Sequence, residues 1–559
     1  MLPQGSTFSA NNPFARIGLS LRWLLLFGLL ALSAGVQAGK DSAVSKDVEL
    51  GRRIYMEGIL PSGKPLQGKR QNTASVEGAT AACQNCHRAS GMGSLEGNIM
   101  VPPIASHFLF AKPDDQSLAI VDIREASNVL RRHAAYTEAS FTKVLHQGVK
   151  VSGKKMNPLM PLYDLSKSEI KALMAYLKQL SAEVSPGVSA DSVEFAVIVT
   201  PDVAAKERDS LVNMVQMIFN QRNNNQRGRS GQMKMPLDLL PHTSRTWKLS
   251  TWELKGEPAS WDAQLREFYR QKPVFAVVAG MSNSNWAPVN DFCEREKLPC
   301  MLPSADVVPD KPGFYNLYYS HGVTLEAEVL AKYLKDKNEG NPTRIVQIYR
   351  DTDAGNAATA ALSQALKGSA IQVETRKLAG LDAAQLQDAV KGLTDKDQVM
   401  LWLDVEGLTA VSKALPKLAA NTVFASGMLA NDDFSSIPKS WSNLRVVYPY
   451  ELGDKRAKNM EAYRLWAITF DVARVNEVMQ SEVYFNLVFL TDLMSQMLDN
   501  LYRDYMLERA EDMLSFGTNF SPYPRLSMSR GQRFASKGAY IAKLAEDGEL
   551  VTDSDWIVP

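Results

Sequence analysis

The run Cys83-Gln84-Asn85-Cys86-His87 holds the densest chemistry in the sequence. Two thiols at this spacing can each add to a vinyl group, and the next residue offers an imidazole to a metal. The pattern C-x-x-C-H is the attachment site of c-type haem. A bare C-x-x-C also serves thioredoxin-like redox pairs and half-sites for zinc. The adjoining His87 and the lack of a second C-x-x-C argue against both. The reading is one covalently attached haem c, with Cys83 and Cys86 forming the thioethers and His87 as an axial ligand of the iron.

An iron held by one histidine needs a sixth ligand or an open face. The segment Gly153-Lys154-Lys155-Met156-Asn157-Pro158-Leu159-Met160-Pro161-Leu162-Tyr163 offers two thioethers. Met160, followed by Pro161, is the choice for that ligand, and Met156 is its rival. Met92 and Met100 lie near the attachment site and read as loop or core residues. His107, His133 and His146 would give bis-histidine ligation, although each taken singly reads as a surface or hydrogen-bonded histidine. A helix follows. Ser166 and Glu169 fit a capping box, with Leu165 and Ile170 as its hydrophobic staple. Ile170, Leu173, Met174 and Leu177 then recur at helical spacing as one buried stripe.

These features resemble the class I cytochromes c, in which a Met-Pro pair precedes the last helix. The likeness extends to an N-terminal helix ending in Gly51-Arg52-Arg53-Ile54-Tyr55 and covers nearly all of residues 45–182. It implies an all-α domain and Met/His ligation. Thioether sulfur favours Fe(II), so such ligation raises the potential into the range of electron carriers. A redox partner, a dehydrogenase or another cytochrome, is implied with it. Pro102-Pro103 resembles the proline segment whose carbonyl orients the proximal histidine, a bond that would fix the tautomer. The alternative is simply a rigid loop.

The rest of the composition sets bounds. The chain has 559 residues, 45% hydrophobic and 22% charged, which argues against long disorder. A net charge of +1 lacks the basic footprint of a nucleic-acid binder, so no nucleic acid is expected. Four cysteines in so long a chain do not make a disulfide-stapled scaffold. Arg16 and Arg22 precede the apolar run Trp23 to Leu32, and Val36-Gln37-Ala38 supplies small residues for a signal peptidase. The run is short for a bilayer span of about 20 residues. Residues 1–38 thus read as a signal peptide cleaved after Ala38, leaving no stable membrane span and a periplasmic protein. An uncleaved N-terminal anchor is the alternative. Beyond it the expected units are a cytochrome c domain at 39–183, a small turn-prone linker at 184–191, and a third unit at 192–559.

In that last unit the texture changes to short continuous apolar runs: Val193 to Thr200, Val274 to Ala279, Arg344 to Tyr349, Gln398 to Leu403, Val423 to Ser426 and Leu444 to Tyr448. Amphipathic segments alternate with them, at Ala259 to Gln271, Thr324 to Lys335, Asn356 to Leu366 and Ala383 to Gly392. Runs buried on both faces imply parallel sheets covered by helices. The length implies two lobes. The first strand and its helix, the stretch Ala279 to Ser284 with Ala287-Pro288-Val289, and Leu298 to Asp306 resemble the type I periplasmic binding proteins. That group includes the branched-chain amino-acid receptors of ABC transporters.

Ligands in such sheets settle outside the carboxyl ends of strands, so Ser284, Ser304 and Asp306 are the polar candidates for a small-molecule cleft. Each could equally be an ordinary turn or cap residue. Amino-acid-binding relatives complete the site with an aromatic residue before a glycine and an acid from the second lobe. Here the first position reads Asp353-Ala354-Gly355. The strand Val423 to Ser426 is followed by Gly427-Met428-Leu429. An α-ammonium group would lose its carboxylate partner, and an unpaired buried charge is costly. Either a different ligand or a cleft used only for docking is expected. Cys293 and Cys300, seven apart, are expected to pair in an oxidising compartment, two free buried thiols being the alternative. Neither cysteine has a nearby His or carboxylate that forms an evident nucleophile pair. A haem enzyme such as a peroxidase would need an open sixth position, which the methionine candidate argues against. No catalytic residue is therefore assigned, and an electron carrier or binding protein is favoured over an enzyme. The competing role is a solute receptor of an ABC-type uptake system carrying the haem as an accessory.

Overall fold

A computed structural model describes residues 46–559 apart from 71–74, 97–98, 114–132, 231–244, 339, 341–342, 516–520 and 546–547. The expected signal peptide and its cleavage point lie outside the described residues. The chain divides into two compact units, one ending at Ala182 and the other beginning at Glu183.

The first unit is built on helical residues 46–57 and the helices Glu138–Gln147 and Lys167–Gln179, with the short turns Gln84–His87 and Ser106–Phe110 between them. Ser166 opens the last helix as the sequence requires. Its hydroxyl accepts the Glu169 N–H, and the Glu169 carboxylate accepts the Ser166 N–H at 2.8 Å. Ile54, Leu66, Phe141, Leu145, Leu173 and Leu177 close one core between these helices. The unit is not all-α as the resemblance implies. Val76–Glu77, Gln67–Lys69 and Leu162–Tyr163 form a small antiparallel sheet, and Ser94–Glu96 pairs with Ile99–Val101. The loops are long enough for these short segments to pair their backbone groups with one another, mostly at the surface.

The first and last helices touch backbone to backbone. A Cβ on Gly51 would lie 2.1 Å from the carbonyl oxygen of Ala172, so only glycine fits the crossing. Tyr55 and Tyr176 pack beside it with ring centroids 5.4 Å apart. A Gly51→Val variant of the full chain should lose about 2 kcal/mol or more, within the overpacking range. Denaturant unfolding followed at the haem absorption band checks it, and an unchanged midpoint would mean the helices part without cost.

The second unit holds two sheets. The first runs Asn316–Leu317, Cys300–Met301, Ala276–Asn285, Ser192–Val199, Thr246–Glu253, with Ser304–Val307 beside the end of Ala276–Asn285, all parallel. The second runs Ile371–Leu378, Thr343–Arg350, Gln398–Trp402, Thr422–Ser426, Leu444–Tyr448, followed by the antiparallel pair Tyr540–Leu544 and Leu550–Thr552. The chain leaves the first lobe after Asn316–Leu317 and returns with the helix Glu477–Met497, whose Asn486 donates to Met301 O at 2.9 Å. It ends in the second lobe. Trp252, Trp286 and Phe292 centre one core; Trp402, Phe424 and Leu330 centre the other. Cys293, on the helix Ala287–Arg295, and Cys300 are joined by a disulfide within the first core. Closing so short a loop stabilises by roughly 2–3 kcal/mol in the chain-entropy account.

Candidate functional site

Cys83 caps the turn Gln84–His87, so both thiols and the imidazole project from a single helical turn. His87 is only 5% exposed, which makes its protonation state a matter of packing. Burial pulls its pKa down to about 4, with the bond to Pro102 working weakly the other way. The ring is therefore neutral near pH 7. Nδ1 lies 3.0 Å from Pro102 O, so it carries the proton and donates, and Nε2 keeps the lone pair that a metal needs. Burial also pushes the Cys83 thiol up to about 12, with Cys86 adding to the rise, unlike the acidified thiolate of a dithiol oxidoreductase.

Four ties hold this turn in place. Tyr55 Oη donates to Arg88 O at 2.7 Å, Ser94 Oγ to Cys86 O at 2.8 Å, Tyr163 Oη to Ala81 O at 3.0 Å, and Gln84 Nε2 to Met56 O. Gly93, at φ +80°, lets the chain pass where a Cβ would meet Val101 O at 2.1 Å, immediately before the proline carbonyl that His87 uses.

The methionine loop is fixed by its own ladder. Leu162 pairs with Lys69 and Tyr163 with Gly68, directly after Met160-Pro161. Met160 N–H donates to Asn157 O at 3.1 Å, and Met156 N–H to Gly148 O at 2.8 Å. Met160, Met156 and Cys83 all pack against the same core. Met92 is a core residue, 1% exposed. His146 Nε2 bonds to Leu165 O and His133 Nδ1 to Ala134 O, each at 2.9 Å. The donor set therefore suits a covalent haem: two thiols, one neutral imidazole already oriented by a carbonyl, and thioether sulfur on a pinned loop.

In the second unit a cavity of about 50 Å³ opens between the lobes. It lies at the carboxyl ends of Ala276–Asn285 and Ser304–Val307, with Ser304 and Asp306 on its wall. Ser284 is placed apart, its N–H donating to Ser282 Oγ at 3.1 Å. Tyr319, Tyr450, Tyr523 and Glu482 line the same cavity. Ser304 Oγ and Tyr523 Oη both donate to the Glu482 carboxylate, the latter at 2.7 Å, and Tyr319 Oη donates to Glu482 O at 2.6 Å.

Besides the expected Asp306, the cavity lining carries a second carboxylate, that of Glu482. Glu326, fully buried and not on the cavity lining, accepts from Ser426 Oγ and from Met428 N–H at 3.0 Å at the end of the strand Thr422–Ser426. Burial raises Glu326 to about 8 and Glu482 to about 7. Asp306 is raised to about 7 by burial and then by Asp202, Glu482 and Glu207. Three tyrosines, Tyr319, Tyr450 and Tyr523, line the cavity, and Asp353 does not. Asp353 itself starts the helix Asp353–Leu366 and accepts the Asn285 N–H at 2.8 Å across the lobes. Sequence reading missed Glu326 and Glu482 because it sought the acid beside the strand it serves.

These features define a haem c-binding unit joined to a two-lobed α/β binding-protein unit. The family model described as periplasmic binding protein matches residues 247–549, more than half of the sequence, and the chain belongs to that family. The model described as cytochrome c matches residues 77–181, so the first unit is a cytochrome c domain, which implies a covalently bound haem. Among solved structures, a possible leucine/isoleucine/valine-binding protein from Rhodopirellula baltica SH 1 is similar at 12% identity and TM-score 0.50, covering 66% of this chain and 98% of its own. A branched-chain amino acid ABC transporter protein from Thermus thermophilus with bound valine is similar at 9% identity and TM-score 0.50, covering 66% and 97%. At these identities the likeness concerns the fold. A search of curated proteins finds no match. Among the described residues no helix is long and apolar enough to cross a membrane.

Proposed function

We propose that the protein is a periplasmic mono-haem electron carrier whose second unit senses a small molecule or docks a partner. The observation that carries this reading is the orientation of His87: a buried neutral imidazole, its Nδ1 bound to Pro102 O, beside the two thiols. Cys83 and Cys86 would hold the haem covalently, and His87 Nε2 and Met160 would be its axial ligands. Such a group supplies one-electron transfer between ferrous and ferric iron. The chain's own part is to keep the imidazole neutral and fixed, hold the Met160 loop against the small sheet, and exclude water around the ring. A redox protein of the same compartment is the expected partner. Export by a signal peptide ending at Ala38, domain limits of 39–183 and 192–559, and a single haem belong to the same proposal.

Met160→Ala in the full chain tests the ligation. The sulfur-to-iron charge-transfer band of the oxidised protein should vanish, and the reduction potential should fall. Met156→Ala should leave both in place. A spectrum unchanged by Met160→Ala but altered by Met156→Ala would transfer the ligand to Met156.

The inter-lobe cavity supports a second reading, a solute receptor carrying the haem as an accessory. Binding proteins of this architecture close two lobes around a ligand.

A further inference from the structure

We infer that the inter-lobe cavity is a site for a small alkylammonium ion, seated against the Tyr319–Tyr450–Tyr523 wall and neutralised by Asp306 and Glu482. This rests on the ligand-sensing reading of the second unit and narrows it to one chemical class.

The acids alone would not make a site; the cavity contributes two groups that no protein group among the described residues pairs with. Tyr450 is 3% exposed and lines the cavity, yet among the described residues no group pairs with its hydroxyl. Asp306 lines the same space, and among the described residues no donor or cation reaches its carboxylate. Burial and the neighbouring Asp202, Glu482 and Glu207 push it up to about 7, as expected of an acid without a counter-ion. A bound cation would remove that penalty and give both groups a partner.

Several observations fix the chemistry of the cation. None of the lining residues is Lys, Arg or His, so an anionic ligand would meet carboxylates and no compensating charge. The lining hydroxyls of Ser304 and Ser282 already donate, to Glu482 and to Ser284 O. That disfavours an α-amino acid and leaves the amine end alone. The aromatic wall is continuous: Tyr319 stacks on Tyr523 with centroids 5.5 Å apart, and Tyr450 lies 5.3 Å from Tyr523. Ring faces attract organic cations. Arg456 lies 5.9 Å from the Tyr450 ring, but it is held by Asp432 and is not part of the lining. Met281, Met428 and Met479 complete an apolar boundary suited to an alkyl group. A metal ion fits poorly, because among the described residues no three His, Cys, Asp or Glu side chains gather to hold one. Size follows from volume. About 50 Å³ accommodates only a few heavy atoms when one water-sized probe needs about 10–15 Å³.

The test is calorimetry on the purified full chain at pH 8 with ethylammonium chloride, L-valine and sodium propionate, each titrated separately. Ethylammonium should bind, while valine and propionate should not. Asp306→Asn should weaken ethylammonium binding by about tenfold or more, since it removes a charge-assisted contact. Tyr450→Phe, which keeps the ring, should weaken it by about threefold or more. The second variant decides the matter if the first does not fold. Valine binding as tightly as ethylammonium would overturn the amine assignment and leave the ligand-sensing reading intact. Ethylammonium binding indifferent to both variants would place the ligand elsewhere and also overturn it. Silence toward all three compounds would sink the amine site and the ligand-sensing reading together, leaving partner docking.

Discussion

Replacing both Cys83 and Cys86 by Ser should give a full-length protein that keeps no haem through denaturation, even when matured beside a working haem-ligation apparatus. Electrophoresis in detergent followed by a haem stain reads the result directly. Each thioether is a covalent bond, so the single variants should each retain haem through the remaining sulfur and the double variant none. The helical turn explains why neither thiol can be substituted from elsewhere. The only other cysteines, Cys293 and Cys300, are joined to each other in the second unit. His87→Ala belongs to the same experiment with a different outcome. It leaves both thiols but removes the imidazole that Pro102 O orients, so haem should stay attached while its spectrum becomes high-spin. Covalent haem surviving in the double Ser variant would remove the motif from the account.

The haem motif was legible because its chemistry is local: five consecutive residues carry it, and one helical turn presents them. The central strands were legible for a related reason. Ser192–Val199, Gln398–Trp402 and Leu444–Tyr448 are buried on both faces over most of their length and read as largely apolar runs, interrupted inside by only Glu194 and Arg445. Thr246–Glu253 and Ile371–Leu378 were not. They are edge strands, exposed at several positions, and Lys248, Thr251, Arg376 and Lys377 break the run. The helix Glu477–Met497 was missed for the opposite reason. It is buried nearly all round, so no amphipathic stripe marks it. That omission hid Glu482, and the same topology hid Glu326. A carboxylate that serves the strand Thr422–Ser426 from the helix Gly322–Asn338 leaves no trace in the residues around the strand.

Glu326 also sets the second large effect: Glu326→Gln should stabilise the unliganded protein at pH 9 and leave it nearly unchanged at pH 5. The carboxyl is fully buried and its pKa is raised from the usual 4.5 to about 8 by burial first, with Asp306 adding to the rise. The folded protein therefore binds a proton that the unfolded chain gives up between about pH 4.5 and 8. Stability falls with pH wherever the folded state holds more protons. The contribution is fully present below the unfolded pKa and is lost as pH rises through that window. Each unit of separation corresponds to about 1.4 kcal/mol, so the loss at pH 9 is on the order of a few kcal/mol. Glutamine keeps the shape and can still accept the Met428 N–H and meet Ser426, but it has no proton to lose. Thermal melting of both proteins at pH 5, 7 and 9 should show a gap that opens as pH rises. Asp306 and Glu482 add a slope of the same sign to both curves, because burial raises them as well. A gap that is equal at pH 5 and pH 9, or a variant less stable at pH 9, would mean that Glu326 is folded as an ion.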